Sequence, residues 1–365
     1  MISAVVLWGL TGFLVVASLL PLSKIPFGTI RGLAFPRLQF FILAVVLLPL
    51  MRVFQTGTWE AVGASLLIGV AIVQVVYIIK FTPVWTKQSV DAAPDLAGQK
   101  GRQISLLAAN VKQSNRAYDR LISLVQAQAP DILMAIEVDK DWIAALRGPL
   151  GVMYPHWVEV PRGNSYGLCV MSRLPLADTQ VRELVTEGVP SIRTQVTLPD
   201  GQKTRLYVVH PEPPIISHDT KGRDSEIALI GLEAAEDLLP AIVTGDLNDV
   251  AWSTTTRRFQ RLSGLLDPRV GRGFYNTFSA TMPWMRWPLD HLFHDARFRL
   301  VEMARLNKIG SDHFPMWFVL ALTGDALPGT LPEQADAQEK RDVKDMIATE
   351  QTREREAIGS DWEDG

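Results

Sequence analysis

The sequence predicts an α/β domain, of the mixed α+β kind, carried behind a membrane-crossing front. Between about residues 101 and 322, strand-like apolar runs alternate with helical spacing. Three long apolar stretches precede that region. Within it, polar side chains recur at the C-terminal ends of the strand-like runs.

The front comes first in the chain. Residues 1–80 hold apolar stretches at Val5–Leu22, Leu38–Met51 and Ala61–Ile79. The first and third approach the ~20 residues that cross a hydrocarbon core. The second is 14 residues between Arg37 and Arg52, about 21 Å as helix; it spans if both arginines snorkel and the bilayer thins. A cleaved signal peptide is disfavoured for the first, because no Lys or Arg precedes it. Lys24, Arg31 and Arg37 follow span one, only Arg52 separates spans two and three, and Lys80, Lys87, Lys100 and Arg102 follow span three. Positive-inside counting therefore predicts a multi-pass protein with its large domain on the cytoplasmic face. A re-entrant second stretch would reverse that.

Residues 81–100 contain Pro, Asp, Ala and Gly and read as a linker. Gln103–Val111 then reads as a strand, and Asn115–Gln128 as a helix stopped by Pro130. Further strands are read in ILMAIEV, GLCVMS, SIRTQVTL, TRLYVVH, AIVTGD, DHLFH and FPMWFVLAL, with a helix over Asp219–Leu239. Residues 323–365 form a charged acidic tail without a sustained apolar stripe, read as disordered or as solvated helix.

Charge divides the same way. Residues 1–100 carry seven basic against three acidic side chains, 101–323 carry 24 of each, and 324–365 carry five against twelve. The balanced middle offers no broad basic face for long duplex DNA. The single cysteine, Cys169, excludes an intramolecular disulfide framework and any multi-cysteine zinc site. It lies in an apolar run and is read as a packed strand thiol.

The strand ends carry the chemistry. Asn110 ends SLLAAN, Glu137 ends ILMAIE, His210 ends LYVVH, and Asp246 and Asn248 end AIVTGDLN. Asp290 stands in LDHLF and Asp312–His313 in GSDHFPM. One such residue is a turn former; six sites in this order are not explained by turns. Together with SYGLCVMSRLPL and VVHPEPP, the series resembles the endonuclease/exonuclease/phosphatase superfamily over residues 101–322. That superfamily includes type I deoxyribonucleases, abasic-site endonucleases, neutral sphingomyelinases and inositol-polyphosphate 5-phosphatases. The resemblance implies a four-layer α/β/β/α sandwich of the DNase I type and a divalent-metal phosphoesterase.

It also implies roles. Glu137, with Asn110 and Asp312, would form a site for Mg²⁺ or Mn²⁺, hard cations that prefer oxygen ligands. Asp246 would orient or deprotonate water, and Asn248 would hold a phosphate oxygen. His313, oriented by Asp290, would be a base or a transition-state donor; the base is left jointly to His313 and Asp246. His210 would protonate the leaving oxygen. His291 is read as structural because it should face away from Asp290, and Asp249 as the cap of a helix beginning near Trp252. Arg173 either approaches phosphate or forms a salt bridge. Trp284, Met285 and Trp287 either line a cleft or brace a loop.

The expected function is metal-assisted attack of water on a phosphodiester or phosphomonoester. The expected partners are the bilayer and a substrate that is nucleic acid, a phospholipid headgroup or a soluble ester. The alternative is a non-catalytic membrane adaptor whose acidic tail contacts a partner.

Overall fold

Two sheets, of six and five strands, stack face to face in a computed structural model that describes residues 2–23, 25–326 and 331–359. Lys24, used above for orientation, lies outside the described residues, as do 327–330 and 360–365 of the tail. The strands are β1 (Gln103–Asn110), β2 (Ile132–Ile136), β3 (His156–Val160), β4 (Leu168–Ser172), β5 (Leu176–Glu183) and β6 (Pro190–Thr197). They continue with β7 (Lys203–Val209), β8 (Ala241–Asp246), β9 (Asp290–His294), β10 (Phe298–Arg305) and β11 (Met316–Leu322). The larger sheet runs β10-β11-β1-β2-β4-β3 and the smaller β5-β6-β7-β8-β9.

Only two neighbouring pairs in these sheets are parallel, β1 with β2 and β7 with β8. Each needs a crossover, and a helix supplies it. The helices are α1 (Ile2–Leu19), α2 (Gly28–Gly32), α3 (Arg37–Phe54), α4 (Gly57–Ile78), α5 (Pro94–Ala97), α6 (Tyr118–Gln128), α7 (Lys140–Leu150), α8 (Lys221–Glu236), α9 (Thr254–Ser263) and α10 (Ala337–Gln351). α6 joins β1 to β2, and α8 joins β7 to β8.

Strand periodicity sorts the side chains into layers. Ile104, Leu106 and Ala108 of β1 meet Leu206, Val208 and Ile242 of the other sheet in the central core. Leu107 and Ala109 point the other way, onto Leu121 and Val125 of α6 and Trp142 of α7. Tyr207, Val209 and Val243 likewise face Ile227, Ile230 and Phe259 of α8 and α9. The result is helices, sheet, sheet, helices, the four-layer sandwich that the resemblance implied.

Three N-terminal helical segments, Ala4–Leu22, Arg37–Phe54 and Gly57–Phe81, are long and apolar enough to cross a membrane. The second is longer than its apolar run: the helix takes in Arg37 and continues through Phe54, about 27 Å. Arg37 is accommodated by a buried polar chain. It donates to Gln74 at 3.0 Å, Gln74 donates to Ser18 at 2.6 Å, and Ser18 donates to the Leu14 carbonyl at 2.5 Å. One link thus joins α1, α3 and α4 by hydrogen bonds made inside the bundle.

The bundle is joined to the sandwich through the connection between α1 and α3. Gly28 N donates to His218 O at 2.8 Å and Thr220 N to Pro26 O at 2.9 Å. A Cβ on Gly28 would stand 1.7 Å from the Ile215 carbonyl oxygen, so only glycine allows this approach. Trp252 donates to Ala34 O at 2.7 Å. The segment read as a linker runs along the sandwich, with Asp91 bridging Leu300 and Ala92 N donating to Leu300 O at 2.8 Å.

The tail is not fully solvated. α10 buries Val343 and Ile347 against Ala228 and Leu262, and Arg261 grips Glu339 with two hydrogen bonds. The two apolar positions were too few to read as a stripe. Ile347→Asp is expected to weaken this docking by about 2 kcal/mol or more. Limited proteolysis would then cut after Leu322 while the sandwich stays intact; unchanged resistance would refute the docking.

Glu226 of α8 is buried with Glu212 nearby, and burial pushes its carboxyl up to about 8. Its proton is held more tightly folded than unfolded, so stability falls as pH rises from about 4.5 toward about 8. Glu226→Gln is therefore expected to raise Tm at alkaline pH and leave it unchanged at about pH 4 or below, measured by calorimetry.

Candidate active site

The two parallel pairs lie opposite one another in the stacked sheets, and their C-terminal ends meet. Asn110 ends β1 and Glu137 follows β2; His210 follows β7 and Asp246 ends β8. Asp290 begins β9 beside Asp246 in register, and His313 arrives on the loop before β11.

Asp246 is the centre. It is 1% exposed. Asn110 Nδ2 donates to it at 3.0 Å and to Glu137 at 2.6 Å, so one amide joins both carboxylates. Asn248 N donates to the other Asp246 oxygen at 2.9 Å. His313 Nε2 lies 3.5 Å from Asp246, and His313 Nδ1 donates to Asp290 at 2.7 Å.

Burial and pairing set the charges. Burial pushes Glu137 up to about 7, against the Asn110 hydrogen bond. Burial pulls His210 down to about 4, so it is neutral at physiological pH. Burial also opposes charge on His313, but Asp290 and then Asp246 outweigh it and push it up to about 10. Asp290 is raised by the same burial.

Glu137 (φ 64°), Asn248 (φ 50°) and Lys112 (φ 58°) sit in left-handed backbone without being glycine. Each such residue costs of order 1 kcal/mol or more and persists because its surroundings fix it. For Asn248 the fixing contacts are visible: its side chain donates to Pro211 O at 2.9 Å, and buried Arg223 donates to its carbonyl at 3.0 Å.

A cavity of about 450 Å³ opens over this cluster. Glu137, His210, Asp246, Asn248, Asp312 and His313 all line it. Its walls hold groups with no signal in the sequence reading. Lys112 pairs with Asp312 at 3.0 Å. Phe35, from the connection before α3, stands on one side. Gly359 of the tail stands on another, where Tyr166 donates to the Ile358 carbonyl and packs its ring 5.4 Å from His210. Arg355 pairs with Glu212 beneath that strap.

Residues set aside above are accounted for. His291 donates to Asp249 O at 2.8 Å and accepts from Arg269 at 2.5 Å, away from the cavity. Asp249 does not cap α9: Ser253 does, and Asp249 pairs with Arg223 at 3.2 Å. Arg173 donates to the Ala129 carbonyl at 3.1 Å. Cys169 is buried in β4, and burial pushes its thiol up.

The site fits a hard cation. Ligand atoms of Glu137, His210 and Asp246 lie within 4.8 Å of one another, as do those of Asp246, Asp290 and His313. Among the described residues, Glu137's one ion-pair neighbour is His210 at 3.9 Å, which burial keeps neutral. The nearest charge that favours its carboxylate is on His313, which is already paired with Asp290.

A model of the endonuclease/exonuclease/phosphatase family matches residues 100–313. No curated protein matches the chain. Among solved structures it is similar to an endonuclease/exonuclease/phosphatase from Beutenbergia cavernae, with 18% identity, TM-score 0.50, and 60% of this chain and 72% of that one covered. It is similar to D. rerio TDP2 complexed with a single-strand DNA product, with 18% identity, TM-score 0.51, and 60% and 98% covered. The human Nocturnin catalytic domain with bound sulfate gives 16% identity, TM-score 0.50, and 62% and 95% covered. These likenesses carry the fold alone. The family match extends over more than half of the sequence, and the chain belongs to the endonuclease/exonuclease/phosphatase family.

Proposed function

We propose that the protein is a membrane-anchored, divalent-metal-dependent hydrolase that cleaves a phosphodiester or phosphomonoester by attack of water. The observation that carries this reading is the convergence of Glu137, His210, Asp246 and His313 on one cavity, with Asp246 buried among the others and Asp290 behind His313 as its hydrogen-bond partner. Glu137 and Asp246 would hold the cation. Asp312 would contribute by exchanging its Lys112 partner, and Asn110 by turning its amide oxygen inward. Mg²⁺ or Mn²⁺ there would offset the phosphate's charge and stabilise charge developing on its oxygens.

The side chains divide the remaining work. His313, charged and oriented by Asp290, donates to the phosphate and gives its proton to the leaving oxygen as the P–O ester bond breaks. Asp246 accepts the proton of the attacking water. Asn248 and neutral His210 fix the ester by hydrogen bonds. The helices Ala4–Leu22, Arg37–Phe54 and Gly57–Phe81 anchor the enzyme.

Full-length protein in detergent is expected to hydrolyse a phosphate ester with Mg²⁺ or Mn²⁺ and to stop with chelator. Asp246→Asn should lower turnover by about 10²–10⁴-fold. Turnover indifferent to both would refute the site.

Asp290→Asn should remove the main charge that holds His313 protonated. The His313 pKa then falls from about 10 toward its ordinary 6.5. Activity that needs the imidazolium should fade at lower pH than in wild type, seen as a leftward shift of the alkaline limb of the rate profile. An unmoved limb would remove His313 from the donor role.

A further inference from the structure

The connection between α1 and α3 does more than tether the sandwich. It supplies Phe35 to the cavity wall, two residues before α3 begins. From Phe35 an aromatic series leads inward: its ring lies 5.6 Å from Trp287, Trp287 stacks on Phe278 at 5.9 Å, and Phe278 lies 5.1 Å from His313. The reacting centre is therefore connected to the start of a membrane helix by one continuous apolar wall.

The depth of the rim can be read from hydrogen bonds. Gln39, in the first turn of α3, donates to the Trp284 carbonyl at 2.9 Å. Trp284 is 68% exposed, with Met282 and Met285 exposed beside it. On another part of the same connection, Thr29 donates to Ile216 O at 2.7 Å, and Ile216 is 74% exposed. Ile25 and Phe27 are exposed there too. A Trp level with the first turn of a spanning helix sits in the headgroup layer, where its amphipathic ring is most stable, and the neighbouring methionines add apolar surface there. Pro213 and Pro214, which line the cavity, belong to the loop that carries Ile216.

Resting on the phosphoesterase reading above, we infer that the substrate is a lipid bearing a phosphate ester in its headgroup, taken directly from the bilayer past Phe35. The headgroup passes between Phe35 and Pro213–Pro214 to Asp246 and His313, while the acyl chains stay among the exposed side chains of the rim. An ester dissolved in water makes no use of that rim, and the domain's balanced charge gives a long polyanion no broad basic track.

The test uses the full chain reconstituted in phosphatidylcholine vesicles with Mg²⁺. Phosphatidic acid, phosphatidylglycerol and phosphatidylinositol 4-phosphate are compared with their soluble, deacylated counterparts, bis(p-nitrophenyl) phosphate and a single-stranded oligonucleotide. At least one lipid is expected to be cleaved about tenfold or more faster than its deacylated counterpart. Phe35→Ala and, separately, the exposed Trp284→Ala should reduce that preference by about tenfold, the scale of one apolar side chain's burial, by raising KM for the lipid. Cleavage of soluble esters or oligonucleotide with the lipids untouched overturns the inference and leaves the phosphoesterase reading standing. So does a lipid preference that neither variant changes. Silence on every ester, soluble ones included, overturns both.

Discussion

One hydrogen bond ties the molecule together at the point that matters. Asn110 belongs to the larger sheet and Asp246 to the smaller, and the 3.0 Å contact between them crosses the sandwich. It exists because each sheet places a parallel pair opposite the other, so that four C-terminal strand ends share one rim. The central core of Leu106, Ile132, Leu206 and Ile242 sets the separation. Gly245 shows how tight that setting is. Its φ is +147°, and a Cβ there would stand 1.8 Å from the Val209 carbonyl oxygen. A residue with a side chain at 245 would push β8 off β7 and carry Asp246 with it.

Burial alone does not decide the charges around that bond. His210 and His313 are both buried at the same rim, yet one is driven neutral and the other held charged. The difference is the company: His313 donates directly to Asp290 at 2.7 Å, whereas among the described residues His210 has its nearest carboxylate at 3.9 Å and its Nδ1 without a hydrogen-bond partner. Two residues of one type thereby offer different chemistry within one cavity, which is how proteins obtain distinct roles from identical groups.

Much of this was legible in the sequence because the relevant strands are central. β1, β2, β7 and β8 are buried on both faces over most of their length, and their apolar residues lead up to a polar residue at or just past the strand end. The strands not read, β3, β5 and β10, all lie at sheet edges. β5 is almost wholly exposed along LADTQVRE and has no apolar alternation to detect. Lys112, Phe35 and Gly359 were missed for another reason. Each reaches the cavity from a loop or a distant segment, where position depends on tertiary contact and not on local pattern. The tail escaped in the same way, since α10 docks through few apolar residues, Val343 and Ile347 foremost, together with the Arg261–Glu339 pair.

The order of the elements along the chain has a consequence for assembly. Residues 25–36 leave the ribosome before any strand of the sandwich has been made. Their partners come far later: His218, Trp252 and Trp287 are separated from them by roughly 190 to 250 positions. The cavity is thus completed when a newly folded domain closes onto a segment already in place. A domain released from its helices would keep every carboxylate and histidine of the rim and lose one wall. Docking of the domain onto its N-terminal helices and completion of the cavity are, for this chain, one event.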